Sequence, residues 1–424
     1  ENKAAYNAVK AELDRDAKKA WKADFTKKKR RVLVPTLVFN FGILAVLKYS
    51  GFVSENLNAL FAKISAPVEL PVFHFLLPLG ISFYTFQTMG YLIDVYREKV
   101  VPEKNIGNLA LFISFFPTIV QGPIGRFQHL SKQLFEGNDF SYERTKFGVQ
   151  LMLWGAFKKL VIADRASVLV DNVFGFPDTF GGTYVAVAAL VYCIQLYGDF
   201  SGGIDIATGA AQIFGVDLEK NFERPYLATS IPDFWRRWHI TLGAWFRDYF
   251  YIPRGGSRKG TGRTIINLFA VWLLTGLWHG FGVNFLLWGM FLFFWIAMEK
   301  IWLRKFLENK PWLAHIYVLL VIPLSWVFFA LPELSDIVWC FLRLFGPIVP
   351  YEGINVSAGD YLKYGSMYWP FLVAGIFFAF PFGEKWLKRN YRRGLGILAL
   401  LVIFWMSVYQ LAMGLNNPFM YFSF

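Results

Sequence analysis

Residues 267–284 read NLFAVWLLTGLWHGFGVN, an apolar run without a charged residue that carries one histidine, His279, between Trp278 and Gly280. An ionisable side chain in such a run is costly to place in a bilayer, and those that occur face a bundle interior or a water-filled cavity. His279 is therefore the first functional candidate, with a core histidine satisfied by a backbone carbonyl as the plainer alternative. The rest of the chain is built in the same way. Apolar residues of the AVILMFWYC set make up 55%, aromatics 19% and charged residues only 17%, and the mean hydropathy is +0.39. That charge content lies below the roughly 25% of a soluble domain, and several apolar stretches are long enough to span hydrocarbon. The chain reads as an all-α, polytopic transmembrane helical bundle. Its 424 residues hold no long polar linker, so one helical domain is expected.

The net charge of +13 sits in short basic clusters between apolar spans, the pattern of cytoplasmic loops, and this argues against nucleic-acid binding. Cys193 and Cys340 both lie in apolar sequence, so no disulfide framework is implied. No HExxH or other close His/Cys spacing occurs, and no metal is expected. A serine-hydrolase reading is weak without a GxSxG elbow.

In chain order, residues 1–31 are a polar, basic, cytoplasmic segment ending in KKKRR (27–31) with no secretory h-region. The lack of an initial Met leads us to expect a longer parent sequence with further helices upstream. The transmembrane domain then covers 32–424, with Val32 to Tyr49 as a first span and Gly51 to Leu70 as an external loop. Leu109 to Val120 is apolar but short, and it is broken by Pro117 and QGPIGR (121–126). Such a segment reads as re-entrant, tolerated where protein or a cavity covers its backbone, and makes Gln121 and Arg126 candidate cavity residues. Phe147 to Leu169 carries Lys158, Lys159, Asp164 and Arg165 in its middle, which suits an interior or interfacial helix. Asp199 and Asp205 in GDFSGGIDIATG (198–209) are candidates for a polar ligand, or else cap a helix and pair with nearby arginines.

Residues 232–263, PDFWRRWHITLGAWFRDYFYIPRGGSRKGTGR, interleave aromatics with Arg236, Arg237, Arg247 and Asp248 at helical spacing. The pattern predicts helices at the membrane interface, aromatics in the acyl boundary and arginines at headgroup level. Anchoring does not account for His239, next to Trp238 in this block. Arg254, Arg258, Lys259 and Arg263 mark the following loop as cytoplasmic. A helix climbing from about Thr264 brings His279 some sixteen residues along, about 24 Å at 1.5 Å per residue, into the outer part of the membrane. Counting onward predicts an external loop over Pro332 to Tyr368, a last span over Leu395 to Met413 and an external tail.

Five blocks now resemble a known family. FWRRWHITLGAWFRDYFYIPRGG (234–256), with LLTGLWHG (273–280) placing a second histidine 40 positions after the first, is similar to the membrane-bound O-acyltransferases. The likeness is to the bacterial branch of alginate and peptidoglycan O-acetyltransferases. LPLGISFYTFQTMGYLIDVYR (77–97), SFFPTIVQGPIGR (114–126) and DFSGGIDIA (199–207) resemble that branch too, from about residue 32 to the end. The resemblance implies a bundle with re-entrant and interfacial helices around a central tunnel. It matches the family histidine to His279 and its second histidine to His239. It also implies a multi-pass protein of the bacterial cell membrane that moves an acetyl group from a cytoplasmic thioester for O-acetylation of a cell-surface or secreted polysaccharide. An extracytoplasmic esterase-like (SGNH-type) transferase would be its partner. D-alanyl transfer to teichoic acid is the alternative within the family, and a transporter or flippase the alternative outside it.

Acyl transfer to a hydroxyl requires a base near neutral pKa and a donor to the tetrahedral oxyanion. His279 suits the first role. His239 is expected to position the donor, with Arg236, Arg237 and Arg247 for the phosphates of acetyl-CoA, a substrate rather than a bound cofactor. Trp235, Trp238, Asp248, Asn267 and Trp278 complete the substrate-binding candidates. The tail NPFMYFSF (417–424) reads as an interfacial aromatic anchor. FMYFSF also resembles the tyrosine-bearing tail of a small membrane peptide in the D-alanylation pathway. On that likeness Tyr421 is a catalytic candidate, a phenol that accepts the acyl group with an imidazole as base.

Overall fold

The computed structural model describes residues 14–73, 75, 78–176, 180–280, 282–345, 366–367, 369–370, 373–377, 386–387, 389–415 and 417–419. Among them, helix is the only regular secondary structure. The chain divides into two compact units, residues 1–115 with 126–135, and residues 116–125 with 136–424. The first holds α1 (Arg15–Lys63), α2 (Ile81–Tyr96), α3 (Ile106–Ser114) and, beyond α4 (Phe116–Ile119) of the second unit, α5 (Phe127–Phe135). Asp14 starts α1 by accepting the Ala17 N–H at 2.6 Å, and Asn105 caps α3 through the Gly107 N–H at 2.8 Å, each satisfying an orphan donor of the first turn. Its interior is aromatic, with the Phe127 ring 4.7 Å from Tyr91 and 5.0 Å from Phe112.

The second unit continues with α6 (Tyr142–Phe157), a π-turn over Lys158–Ala163, α7 (Asp164–Phe174), α8 (Gly182–Ile213), α9 (Ile231–Arg237) and α10 (Ile240–Phe246). After a second π-turn at Arg247–Tyr251 come α11 (Gly260–His279) and α12 (Val283–Met298). A third at Glu299–Leu303 joins α12 to α13 (Arg304–Glu308), followed by α14 (Pro311–Ala330), α15 (Leu334–Phe345) and α16 (Gly394–Ala412). Five helices among the described residues are long and apolar enough to cross a bilayer, namely Arg15–Lys63, Gly182–Ile213, Val283–Glu308, Pro311–Ala330 and Gly394–Ala412. α16 leaves Leu398, Leu401 and Trp405 exposed, as a helix facing lipid does.

α8 is the axle of this unit. A Cβ on Gly155 of α6 would meet the Gly202 carbonyl of α8 at 2.4 Å, and one on Gly209 would meet the Gly148 carbonyl at the same distance. Glycines on both helices therefore let the two backbones touch, the small-residue packing that membrane helices use in place of a hydrophobic drive. The main core lies on the other side of α8, where Phe234, Trp288, Leu292, Ile322 and Trp326 are buried.

Three expectations change. The first span is not confined to Val32 to Tyr49: the helix continues from Arg15 to Lys63, because Gly51 is the only breaker in the expected loop before Ser65, where φ turns to 53°. The segment after Pro332 contains an amphipathic helix, α15, which buries Ile337 and Cys340. The aromatics of 232–263 do not lie in an acyl boundary. Trp238, Trp245, Phe246 and Tyr249 are buried inside the protein, where they meet other rings instead of lipid.

Candidate active site

The site begins at the junction of α9 and α10. Ser230 starts α9 by accepting the Asp233 N–H at 3.0 Å, and Arg236 and Arg237 in its last turn suit the negative end of the helix dipole. Trp238 is extended, and His239 takes the left-handed conformation, φ 46° and ψ 54°. The chain thus reverses on two residues, at a backbone cost of order 1–3 kcal/mol that the surroundings must offset. The compensation comes from Asn221. Its carbonyl accepts the Ile240 N–H at 2.9 Å, and its side-chain oxygen accepts the Thr241 N–H at 3.1 Å and the Thr241 hydroxyl at 2.9 Å. The same oxygen stands 3.2 Å from Nδ1 of His239. His239 is 4% exposed, and burial alone drives its pKa well below the ordinary imidazole value, to about 3. The ring is therefore neutral.

α11 delivers His279 as its last residue. The Gly280 amide closes the helix on the Gly276 carbonyl at 3.3 Å. Glycine is needed at 276, where a Cβ would meet the Phe285 carbonyl at 2.6 Å, so α12 can fold back directly against α11. The His279 imidazole is boxed by rings, with centroids 4.7 Å from Trp278, 5.0 Å from Trp288 and 5.1 Å from Phe329. Trp278 stands against both histidines, its ring 6.2 Å from that of His239.

His239 and His279 line one cavity of about 260 Å³. Its wall is mostly aromatic and aliphatic, and the polar groups in it are few. Gln121 is 5% exposed, and neither its amide oxygen nor its amide nitrogen has a hydrogen-bond partner among the described residues. The indole N–H groups of Trp235 and Trp288, also on the wall, lack an acceptor among those residues. Buried polar groups are normally satisfied, so side chains on this mostly apolar wall whose polar atoms lack partners among the described residues, beside two imidazoles, mark a place for an oxygen-bearing ligand.

Of the residues picked from sequence, the cavity wall holds Gln121, Asp199, Trp235, Trp238, His239, Arg247 and His279. The others are elsewhere. Asn267 is fully buried and donates to the Gly256 carbonyl at 3.0 Å, tying α11 to the loop before it. Arg236 and Arg237 face a separate polar cavity with Asp233, Glu299 and Arg304, and Arg237 pairs with Asp233 at 3.0 Å. Asp248 forks with Arg247 at 2.7 and 3.2 Å, so the three arginines do not converge on one phosphate site. Arg126 heads α5 in the first unit. Tyr421 lies outside the described residues.

The aspartates of α8 lie inside the helix rather than at its cap, and lysines hold them. Asp205 pairs with Lys158 at 2.7 Å, while Asp199 and Asp164 both pair with Lys159 at 2.7 Å. Lys159 is itself 95% buried and also donates to the Pro418 carbonyl at 3.0 Å. The π-turn carries these two consecutive lysines to α8, where buried charges persist only if paired. Asn417 joins the same network, its N–H on Asp164 at 3.2 Å and its amide on Ser167 at 2.9 Å. Arg165 adds a bond to the Leu415 carbonyl. Asn221, Thr241 and Trp288 are absent from the residues singled out by sequence, and Lys159 is marked there only as a mid-segment charge with no partner named. The mid-segment charges were a signal for Lys159, whereas a lone asparagine in a polar loop offers none.

Residues 101–334, more than half of the chain, match the family of membrane-bound O-acyltransferases. A probable alginate O-acetylase of Pseudomonas putida is 32% identical over 94% of this chain and 85% of its own length. The chain belongs to the membrane-bound O-acyltransferase family. Among other members, the peptidoglycan O-acetyltransferase of Helicobacter pylori is 33% identical over 77% of this chain and 66% of its own length. The teichoic acid D-alanyltransferase of Streptococcus thermophilus is more distant, 29% identical over 54% and 58%. The protein is thus a membrane acyltransferase, and His239 and His279 line one cavity in it.

Proposed function

We propose that the protein takes an acetyl group from a cytoplasmic thioester, such as acetyl-CoA, and passes it outward for O-acetylation of a cell-envelope or secreted polysaccharide. The observation that carries this reading is the pair of imidazoles on one apolar cavity whose amide and indole groups lack partners among the described residues, in a chain whose relatives include a probable alginate O-acetylase and a peptidoglycan O-acetyltransferase. His279 is the base. It removes the proton of an acceptor hydroxyl as the oxygen attacks the thioester carbonyl. The oxyanion so formed takes hydrogen bonds from Gln121 and the indole N–H groups. Collapse breaks the C–S bond, and the imidazolium returns the proton to the leaving thiolate.

In this reading Tyr421 is the first acceptor, and an extracytoplasmic esterase-like transferase then moves the acyl group from the aryl ester to the polysaccharide. Phenoxide is a better leaving group than a sugar alkoxide, so the ester stays activated. Lys159 supports it: its ammonium donates to the carbonyl of Pro418, three positions before Tyr421 in the sequence, and pairs with Asp199 on the cavity wall. Purified protein with radiolabelled acetyl-CoA tests the function. Thioester-dependent label on the protein or on added polysaccharide is the expected result, and movement of substrate without thioester consumption would refute it. Tyr421→Phe, which keeps the ring and loses the nucleophile, tests the tail: unchanged polysaccharide acylation would reduce it to an anchor.

A further inference from the structure

Histidine can present either nitrogen bare, and the contacts around Asn221 decide which one His239 offers. The backbone N–H of Thr241 can only donate, and it points at one side-chain atom of Asn221 at 3.1 Å. That atom is therefore the amide oxygen, which settles the orientation of a group whose two ends look alike. The Thr241 hydroxyl reinforces it. It accepts the Ile124 N–H at 3.1 Å and so has its proton available for the same oxygen, at 2.9 Å. An oxygen that already receives two donors does not donate, so Nδ1 of His239, 3.2 Å away, must carry hydrogen. The neutral ring then holds its lone pair on Nε2. Asn221 is 1% exposed and stands outside the cavity wall, lining instead a polar cavity of about 350 Å³ with Lys158 and Asp205. His239 itself lines the cavity with His279, and Nε2 is the ring nitrogen that Asn221 does not hold.

We propose that Asn221 is a positioning residue for acyl transfer: its side-chain oxygen, oriented by Thr241, fixes His239 as the Nδ1–H tautomer and makes Nε2 a hydrogen-bond acceptor in the cavity. The consequence differs from a donor-positioning role read from sequence. In this tautomer His239 cannot donate from Nε2 to a thioester carbonyl. It accepts, and so orients a hydroxyl or thiol without taking its proton, leaving the oxyanion to the Gln121 and indole donors. The proposal rests on the cavity being the site of acyl transfer, but the tautomer does not. Asn221 also helps to cap α10, and the test has to separate that from its effect on the ring.

Ring-¹⁵N-labelled histidine incorporated into the full chain in detergent micelles separates them, with the His239 signal identified by its loss in His239→Gln. The expected spectrum shows Nδ1 protonated and Nε2 bare. Asn221→Leu is expected to populate the Nε2-protonated form and to lower kcat by roughly 10–100-fold, the usual loss when a functional imidazole loses its outer partner, with KM for the thioester little changed. Asn221→Asp, which can only accept, is expected to keep Nδ1 protonated and to restore most of kcat. A wild-type or Asn221→Asp spectrum with Nε2 protonated overturns the proposal, even if Asn221→Leu fails to fold. So does a folded Asn221→Leu that keeps the single tautomer or full turnover. Wild-type turnover by His239→Gln would defeat the functional reading of the ring, while the spectrum still reports the tautomer.

Discussion

Gln121→Met should make the protein more stable and less active. The wild-type amide is buried at 5% exposure with neither polar atom paired among the described residues. An unsatisfied buried group costs about 1–3 kcal/mol, and methionine fills similar space without that cost. Packing limits the gain: a Cβ on Gly203 would stand 2.7 Å from the Gln121 oxygen, so the side chain lies directly on α8, where the flexible thioether can adapt. The net expectation is a rise in melting temperature of a few degrees. Loss of one preorganised donor to an oxyanion costs about 10²–10³-fold in kcat. The assay pairs thermal unfolding in detergent with initial rates of acyl transfer from labelled thioester. A variant with lower melting temperature and full activity would show the amide to be a structural group with an unseen partner, and would remove Gln121 from the site. Lower activity together with lower stability would be ordinary damage.

The remaining predictions probe the base, the charge network, the helix crossing and sidedness. His279→Ala should abolish acyl transfer, a loss of at least 10²-fold for a general base, in a variant that still inserts and elutes as folded protein; a well-expressed variant forming product at the normal rate would exclude it as base. Lys159→Met strips the common partner from Asp164 and Asp199 and should destabilise by about 3–5 kcal/mol, seen as poor recovery from the membrane, whereas exposed Lys28→Met, which breaks a helix-surface pair with Asp24, should change recovery little. Gly155→Ala should be far more disruptive than Gly262→Ala, since the first meets the Gly202 carbonyl at 2.4 Å and the second meets nothing within 4 Å; equal melting temperatures would contradict the α6–α8 contact. Ser257→Cys should be labelled by an impermeant maleimide only from the cytoplasmic side, and labelling from outside alone would invert the proposed direction of transfer.

What the sequence determined by itself is what depends on composition and local order. Charge-poor apolar runs of spanning length demand helices in a bilayer, because lipid offers no partner for backbone N–H and C=O groups. The charge-free setting of His279 marked it, and five blocks in order identified the family. Helix α11 rises from the basic loop and ends on His279. Tertiary structure alone decided which side chains meet. Aromatics interleaved with arginines look the same whether they face lipid or protein, and only the packing of α9 against α12 and α14 brings Trp235 and Trp238 to Trp288 and Trp326. Charge runs announce that a partner is needed without naming it, so the pairing of Lys159 with Asp199, 40 residues on, waited for α6 and α8 to cross at their glycines. Asn221 is the extreme case. Its hold on His239 depends on the left-handed turn at His239 itself, which brings the ring, the Thr241 N–H and the Thr241 hydroxyl to one amide oxygen, and no local pattern specifies such a convergence.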